Sequence, residues 1–322
     1  MVIQNSGPRL EILSPAKLNL FLEITGRRSD GYHELETLMV TVDLFDHLLF
    51  TEDASGQIRL QINDARQPAT GTRKSEPTGS AEALPVDESN LIIRAARLLQ
   101  QRAGLTSGAD IRLTKRIPVA AGLAGGSGNA AATLISLNRL WNAGLSADEL
   151  GALAAELGSD IGFFITGGGA AVCSGRGELV QPVPLPSGLH LVLVRPPAGL
   201  STALVYRHCR PSPAPRTSGR LVQSLLQGRL REAGGLLHNA LQRPAEALCP
   251  EVAQLNQRLA RLPVAGHMMS GSGSTCFALC RNRRSARQVA GILRSEQAGM
   301  VQVVRTCSWP VGVSGQPAGS CR

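Results

Sequence analysis

A two-domain chain mixing sheet and helix around a shared cleft is what the sequence predicts, and three observations carry it. The chain has 322 residues, 43% of them apolar, which is enough to fill a core in each of two ordinary domains. Its first half opens on strand-like segments and reaches a glycine-rich loop between a strand and a helix. A run of prolines and polar residues over 195–220 then leads into a second half with helices and a glycine loop of its own.

Residues 9–25 and LMVTVDLFDHLLF over 38–50 mix apolar and polar positions in strand fashion, and IRLQI at 58–62 repeats the pattern, so an early β-sheet is expected. Residues 63–88 turn polar, with three prolines and mixed charges, the composition of a mobile insertion. Beyond it NLIIRAARLLQQRAG has apolar residues at helical spacing, and ADIRLTKRI reads as the strand that delivers the chain to the glycine loop. The helix NAAATLISLNRLW follows, then a second helix that opens on a capping box from Ser146 to Glu149 and stops at Gly158. In the second half LVQSLLQGRLREAGGLLHNAL and EVAQLNQRLARL read as helices, MSGSGSTCFAL as a second glycine loop, and RNRRSAR opens an exposed helix from about Ser285. The expected division is 1–185 and 186–308, with a loose tail over 309–322.

Composition narrows the function classes. The N-terminus lacks a basic region followed by an apolar one, so no signal peptide is expected and the mature chain is expected to begin near residue 1. The uncharged stretch 117–138 has the length of a membrane span, but its four glycines before Asn129 would leave backbone groups unpaired in hydrocarbon. In water the same loop can bind an anion, and no membrane partner is expected. Seven cysteines, an odd number without metal-type spacing, suit a reducing cytoplasm, with Cys276 and Cys280 as buried thiols. The net charge of +9 is nearly all arginine, since Lys17, Lys74 and Lys115 are the three lysines among 33 basic residues. Dispersed charge of this kind suits anionic small molecules, and no run is dense enough for a nucleic-acid arm. No HExxH, CxxC or carboxylate cluster points to a resident metal.

The loop PVAAGLAGGSGNAAA is the strongest chemical signal. Gly122, Gly125, Gly126, Ser127 and Gly128 stand directly before a helix, where glycines allow close backbone approach and unpaired N–H groups favour an anion. A Walker loop would need Lys and Ser or Thr after the last glycine, whereas Asn129 and Ala130 follow. GSGNAA satisfies the dinucleotide pattern GxGxxA, with Asp148 about 20 residues on. Pro118 and the longer glycine loop, however, break the direct strand-to-helix turn that pattern requires, and Asp148 has a local reason at a helix start. A nucleotide-phosphate loop of non-Walker type is the favoured reading.

Three further segments accompany the loop: SPAKLNLFLEITGRRSDGYHEL at 14–35, LGSDIGFFITGGGAAVCSGRGE at 157–178 and MSGSGSTCFAL at 269–279. Together they resemble the GHMP small-molecule kinases in order and spacing, over residues 11–306 apart from the polar insertion. PAKLNLFLEITGRRSDGYH and GSDIGFF are similar to the signature of one branch, the diphosphocytidyl-methylerythritol kinases. The resemblance implies two α+β domains around a cleft, the N-terminal one of ribosomal-protein-like build. It also implies ATP-dependent phosphorylation of the 2-hydroxyl of a cytidine-diphosphate-bearing methylerythritol, in non-mevalonate isoprenoid synthesis. Three positions depart from the pattern: Ala124 replaces a glycine, Gly128 replaces a serine, and Gly162 stands where proline is common.

The resemblance implies that Lys17 and Asp160 are the catalytic pair. Asp160 would accept the hydroxyl proton and Lys17 would hold it ionised; read alone, they are an exposed lysine and a turn aspartate. Pro118, Val119, Ala120, Ala121, Gly122, Leu123, Ala124, Gly125, Gly126, Ser127 and Gly128 would carry ATP, with Gly271, Ser272 and Gly273 of the second loop beside them. Asn19 shares the face of Lys17 in an extended strand and is a candidate substrate contact, while Tyr32 and His33 would frame the cytosine from a turn. Mg²⁺ would arrive with ATP, and a monomer or weak homodimer is expected. The alternatives are another kinase of this superfamily acting on homoserine, mevalonate or a sugar, a degenerate nucleotide-binding or RNA-associated protein, and a dehydrogenase.

Overall fold

The computed structural model describes residues 4–5, 9–65 and 84–308. A long hairpin of β2 (Arg9–Arg27) and β3 (His33–Asp53), preceded by the short β1 (Gln4–Asn5), is the spine of the first sheet. Toward its open end β3 pairs with β5 (Gly108–Lys115), which carries the parallel edge strand β4 (Ile58–Asp64). Toward its turn β3 pairs instead with β6 (Ala170–Gly175), which carries β7 (Leu179–Pro182). Register shifts between Pro15 and Ala16, Asn19 and Phe21, and Ile24 and Gly26 give the hairpin the curvature to serve both ends.

Four helices cover one face: α1 (Leu91–Ala103), α2 (Gly125–Leu140), α3 (Ala147–Leu157) and α4 (Ile161–Thr166). Their ends follow local chemistry. The Asn90 side chain caps α1 by accepting from the Ile92 N–H at 2.9 Å, and Gly104 ends it at φ +62°. Both halves of the expected capping box form at Ser146 and Glu149 of α3.

The chain crosses to a second, antiparallel sheet ordered β10–β11–β8–β12, made of β8 (His190–Arg195), β10 (Gly266–Met269), β11 (Cys276–Cys280) and β12 (Met300–Arg305). Between β8 and β10 run α5 (Thr202–His208), α6 (Gly219–Leu226), α7 (Leu230–Leu236), β9 (His238–Asn239), α8 (Gln242–Leu248) and α9 (Pro250–Ala260), and α10 (Arg283–Ser295) precedes β12. Here β9 returns to the first sheet and pairs with β2. Between the sheets Ala16, Leu18, Leu20 and Phe21 pack with Leu191, Leu193, Met268, Phe277 and Leu279, all at most 4% exposed. Burial of that apolar surface holds the two halves as one body. Strand alternation therefore commits Ala16, Leu18 and Leu20 of β2 to this seam and leaves Lys17 and Asn19 on the other side.

Two expectations need correction. Gly125 to Gly128 do not precede the helix but form the first turn of α2, because the Gly128 N–H already donates to the Ala124 carbonyl at 2.9 Å. Asn63 and Asp64 belong to β4, paired with Thr114 and Lys115, so the polar insertion starts later than composition suggested. The connection over 195–220 contains the short helix α5, capped by Ser201. Residues 66–83 of the insertion and the tail 309–322 lie outside the described residues. The stretch 117–138 is the glycine loop and α2, and no helix among the described residues is long and apolar enough to cross a membrane.

Cys276 and Cys280 are buried as expected, and so is Cys173. Burial pushes the Cys173 thiol up to about 12 and Cys280 up to about 11. Iodoacetamide at pH 8 is expected to spare Cys173, Cys276 and Cys280 in the folded protein and to label them in guanidinium, since the thiolate is the reactive form. Labelling of these three without denaturant would contradict their placement.

Candidate active site

The two glycine loops meet back to back. Gly122 has φ +73°, and a Cβ there would lie 2.2 Å from the Ser270 carbonyl oxygen. The Ser270 hydroxyl donates to the Gly122 carbonyl at 3.1 Å, the Thr275 N–H donates to the Ala121 carbonyl at 3.3 Å, and the Lys17 N–H donates to the Leu123 carbonyl at 3.1 Å. Asn239, from the strand that returns to the first sheet, donates to the Met269 and Gly271 carbonyls, both at 2.8 Å. Gly122→Ala is expected to cost on the order of 3 kcal/mol, through the left-handed backbone and the clash. Gly126→Ala, whose Cβ would meet Leu91 Cδ1 at 3.8 Å, is the control expected to leave Tm near the parent value. Equal melting temperatures for the two variants would contradict the contact.

The three departures differ in their local surroundings. Ala124 takes φ +49° as the residue before α2, a conformation that costs a non-glycine residue about 1–2 kcal/mol. At Gly128 a Cβ would come within 2.8 Å of Ser14 Oγ and 3.0 Å of the Pro15 carbonyl, so α2 approaches β2 more closely than a serine there would permit. Gly162 lies buried in α4 with room beside Val180.

Lys17 and Asp160 come together as the sequence suggested: Nζ lies 3.4 Å from Oδ2, with the lysine side chain 5% and the carboxylate 35% exposed. Asp160 immediately precedes α4 but makes no capping hydrogen bond, which leaves its carboxylate free to face the cleft. Lys17 also donates to Asn19 Oδ1 at 2.6 Å, and Asn19 Nδ2 donates to Thr37 Oγ1 at 2.8 Å. Asn19 is thus held by both neighbours, and its backbone N–H donates to Ser270 Oγ at 3.3 Å.

Lys17, Asn19, Thr37 and Asp160 line one cavity of about 1140 Å³. Lys17, Asn19 and Asp160 are joined there by Pro118, Val119, Ala120, Ala121, Gly122, Ala124, Gly125, Gly126 and Ser127 of the first loop, and by Gly271 and Ser272 of the second. Leu123, Gly128 and Gly273 of the two loops are not among its lining residues, and Leu123 is buried beneath the first loop. Tyr32 and His33 line the same cavity. His33 begins β3 rather than lying in the turn, whereas Tyr32 is 56% exposed, with the Arg176 guanidinium 5.0 Å from its ring centre. Burial, and then the Arg27 charge, hold the His33 imidazole below its ordinary value of 6.5.

Residue-by-residue reading missed several participants. Tyr206 of α5 brings its ring to 5.4 Å from His33, and burial raises its hydroxyl above the usual phenol range. Asp46, fully buried, accepts from Lys115 Nζ, from the Arg116 and Ile117 N–H groups at 2.7 and 2.8 Å, and from Asn129 Nδ2 at 2.9 Å. That carboxylate ties the exit of β5 to the first turn of α2 and so shapes the loop between them. The scarcity of lysine was the available signal, since Lys17 and Lys115 both line the cavity.

A glycine loop opening into a helix, a second loop braced against it and a lysine–aspartate pair in the same cleft define a small-molecule phosphotransferase site. The family description "GHMP kinases N terminal domain" matches residues 90–175, and "GHMP kinases C terminal" matches 221–298. The 4-diphosphocytidyl-2-C-methyl-D-erythritol kinase of Shouchella clausii (strain KSM-K16) is 39% identical, over 92% of this chain and 95% of its own. The enzyme of that name from Pelotomaculum thermopropionicum is 42% identical, over 88% of this chain and 93% of its own. A crystal structure of 4-(cytidine 5'-diphospho)-2C-methyl-D-erythritol kinase superposes with a TM-score of 0.73 at 35% identity, covering 92% of this chain and 98% of that one. The chain belongs to the GHMP kinases, in the branch of the 4-diphosphocytidyl-2-C-methyl-D-erythritol kinases.

Proposed function

We propose that the chain transfers the γ-phosphoryl group of ATP to the 2-hydroxyl of 4-diphosphocytidyl-2-C-methyl-D-erythritol, in the non-mevalonate route to isoprenoid precursors. The observation that carries this reading is the placement of the Lys17–Asp160 pair in one cavity with a glycine loop and, apart from it, an aromatic cluster. ATP lies along the glycine loop, its phosphates facing the N–H groups of the first turn of α2. The acceptor lies across the remaining space, its base among Tyr32, His33 and Tyr206 and its polyol beside Asn19.

Asp160 accepts the proton of the attacking hydroxyl as the oxygen–phosphorus bond forms and the bond to the β-phosphate oxygen breaks, releasing ADP. Lys17, 3.4 Å from that carboxylate, places positive charge beside it and beside the transferring group. Mg²⁺ enters with the nucleotide as part of the substrate, and the Ser127 hydroxyl and Asp160 carboxylate are oxygen donors the cavity offers it. The domains are divided at 185/186, where the chain passes from β7 toward β8.

An acceptor panel tests the reading. ADP release with homoserine, mevalonate or galactose is expected to stay at background while the cytidylated methylerythritol is consumed. Turnover of any of the three at a comparable kcat/KM would overturn it. The lowered His33 value adds a pH signature: KM for the acceptor is expected to be flat above pH 7 and to rise only below 6.5, as the ring gains a proton and loses its acceptor nitrogen. A KM that already rises at pH 7.5 would contradict a neutral His33.

A further inference from the structure

The charge of the cavity is lopsided. Among the described residues its lining holds six basic side chains, Lys17, Arg27, Lys115, Arg176, Arg207 and Arg210, against one carboxylate, Asp160. Two of the six have evident tasks, since Lys17 pairs with Asp160 and Lys115 pairs with Asp46 beneath the nucleotide loop. The four arginines gather at the aromatic end instead. Arg27 is the cross-strand partner of His33, whose ring lies 5.4 Å from Tyr206. Arg207 follows Tyr206 in α5, and Arg210 lies just beyond the helix. Arg176 lies over the Tyr32 ring, and the adjacent Gly177 approaches Ser159, the neighbour of Asp160. These four residues thus share the cavity lining with Tyr32, His33 and Tyr206 as well as with Asp160.

For three of the four, no carboxylate compensates the charge within ion-pair distance among the described residues, whereas Arg176 also faces the Asp30 carboxylate. Arg176 has Glu178 at 3.8 Å, and Arg27, Arg207 and Arg210 make no ion pair among the described residues. The segment carrying Arg210 is nonetheless fixed at its far end. The Arg216 N–H donates to Glu23 Oε2 at 3.1 Å, and the Ser218 N–H and hydroxyl both donate to Glu36 Oε1 at 2.6 Å. Glu23 and Glu36 face each other across the β2–β3 ladder, an arrangement of like charges that ordinarily disfavours pairing. Their use as anchors for residues 216–218 gives that arrangement a purpose.

We propose that Arg27, Arg176, Arg207 and Arg210 form a second anion subsite, separate from the nucleotide loop, which binds the diphosphate linking base to polyol in the acceptor. The inference rests on the acceptor orientation given above and adds the residues that discriminate for its charged linker. Guanidinium groups suit this task because their planar donors pair with phosphate oxygens. A small uncharged acceptor would leave the four charges without a ligand.

Binding of CDP and of cytidine, measured by calorimetry with the nucleotide loop saturated by a non-hydrolysable ATP analogue, tests the subsite without requiring turnover. The parent protein is expected to bind CDP at least about tenfold more tightly than cytidine, with a preference that weakens as salt rises. In R207Q/R210Q, and independently in R176Q, that preference is expected to shrink severalfold while cytidine affinity in R207Q/R210Q stays near the parent value. Arg207 and Arg210 are exposed, so unchanged melting is the check on folding. Equal affinity for CDP and cytidine in the parent, or an undiminished CDP preference in both variants, would overturn the subsite. Failure of the parent to phosphorylate the cytidylated acceptor would instead count against the proposed reaction, which the two binding measurements do not depend on.

Discussion

Asp160→Asn is expected to lower kcat by about 10²–10⁴-fold, the range over which a positioned base accelerates proton transfer, while KM for ATP moves by less than about one order of magnitude. Asparagine keeps the shape of the side chain and removes both its charge and its basicity. The carboxylate is 35% exposed and caps nothing, so the fold does not depend on it, and the loss should appear in turnover rather than in melting temperature. Lys17→Ala is expected to produce a comparable collapse by a different route. It removes the cation 3.4 Å from Asp160 and deprives Asn19 Oδ1 of its donor, so KM for the acceptor should rise as well. Steady-state kinetics of the two variants, with circular dichroism to establish folding, is the check. Near-parental turnover in either would remove the assignment.

The largest effect on stability is expected at Asp46. This carboxylate is fully buried and accepts four hydrogen bonds, one of them from a lysine whose side chain is 4% exposed. Asp46→Ala would leave the Lys115 charge and two backbone donors without that acceptor, a change that costs about 3–5 kcal/mol when a buried pair is broken. Because the same carboxylate joins the end of β5 to α2, affinity for ATP should fall together with the melting temperature. Glu232→Ala, which breaks the exposed pair with Arg229, is the contrast and should leave both unchanged. A melting temperature for Asp46→Ala equal to that of the parent would show that the network does not organise the loop.

How much of this could be read in advance depended on how local each cause is. The strands, the helix caps and the two glycine loops follow from short-range chemistry, and the pairing of Lys17 with Asn19 follows from the two-residue period of a strand. The first turn of α2 was hidden because consecutive glycines read as loop, whereas here the anion-facing turn is itself helical. Asp46 and Lys115 are 69 residues apart and meet only through the β3–β5 register, in which the adjacent His47 faces Thr114. Nothing in the sequence near either residue shows that register. Tyr206, Arg207 and Arg210 sit on or just after a short helix in a segment rich in proline, whose place in the cleft wall is set by tertiary anchors at Glu23 and Glu36. Tertiary contacts of this kind leave no periodic signal.

The most direct test of the account is a coupled ADP-release assay with ATP, Mg²⁺ and 4-diphosphocytidyl-2-C-methyl-D-erythritol, run beside the acceptor lacking its cytidine diphosphate and beside Asp160→Asn. Turnover confined to the cytidylated acceptor and the parent protein is the expected result. Comparable turnover of the truncated acceptor, or turnover by Asp160→Asn within about tenfold of the parent, would contradict it.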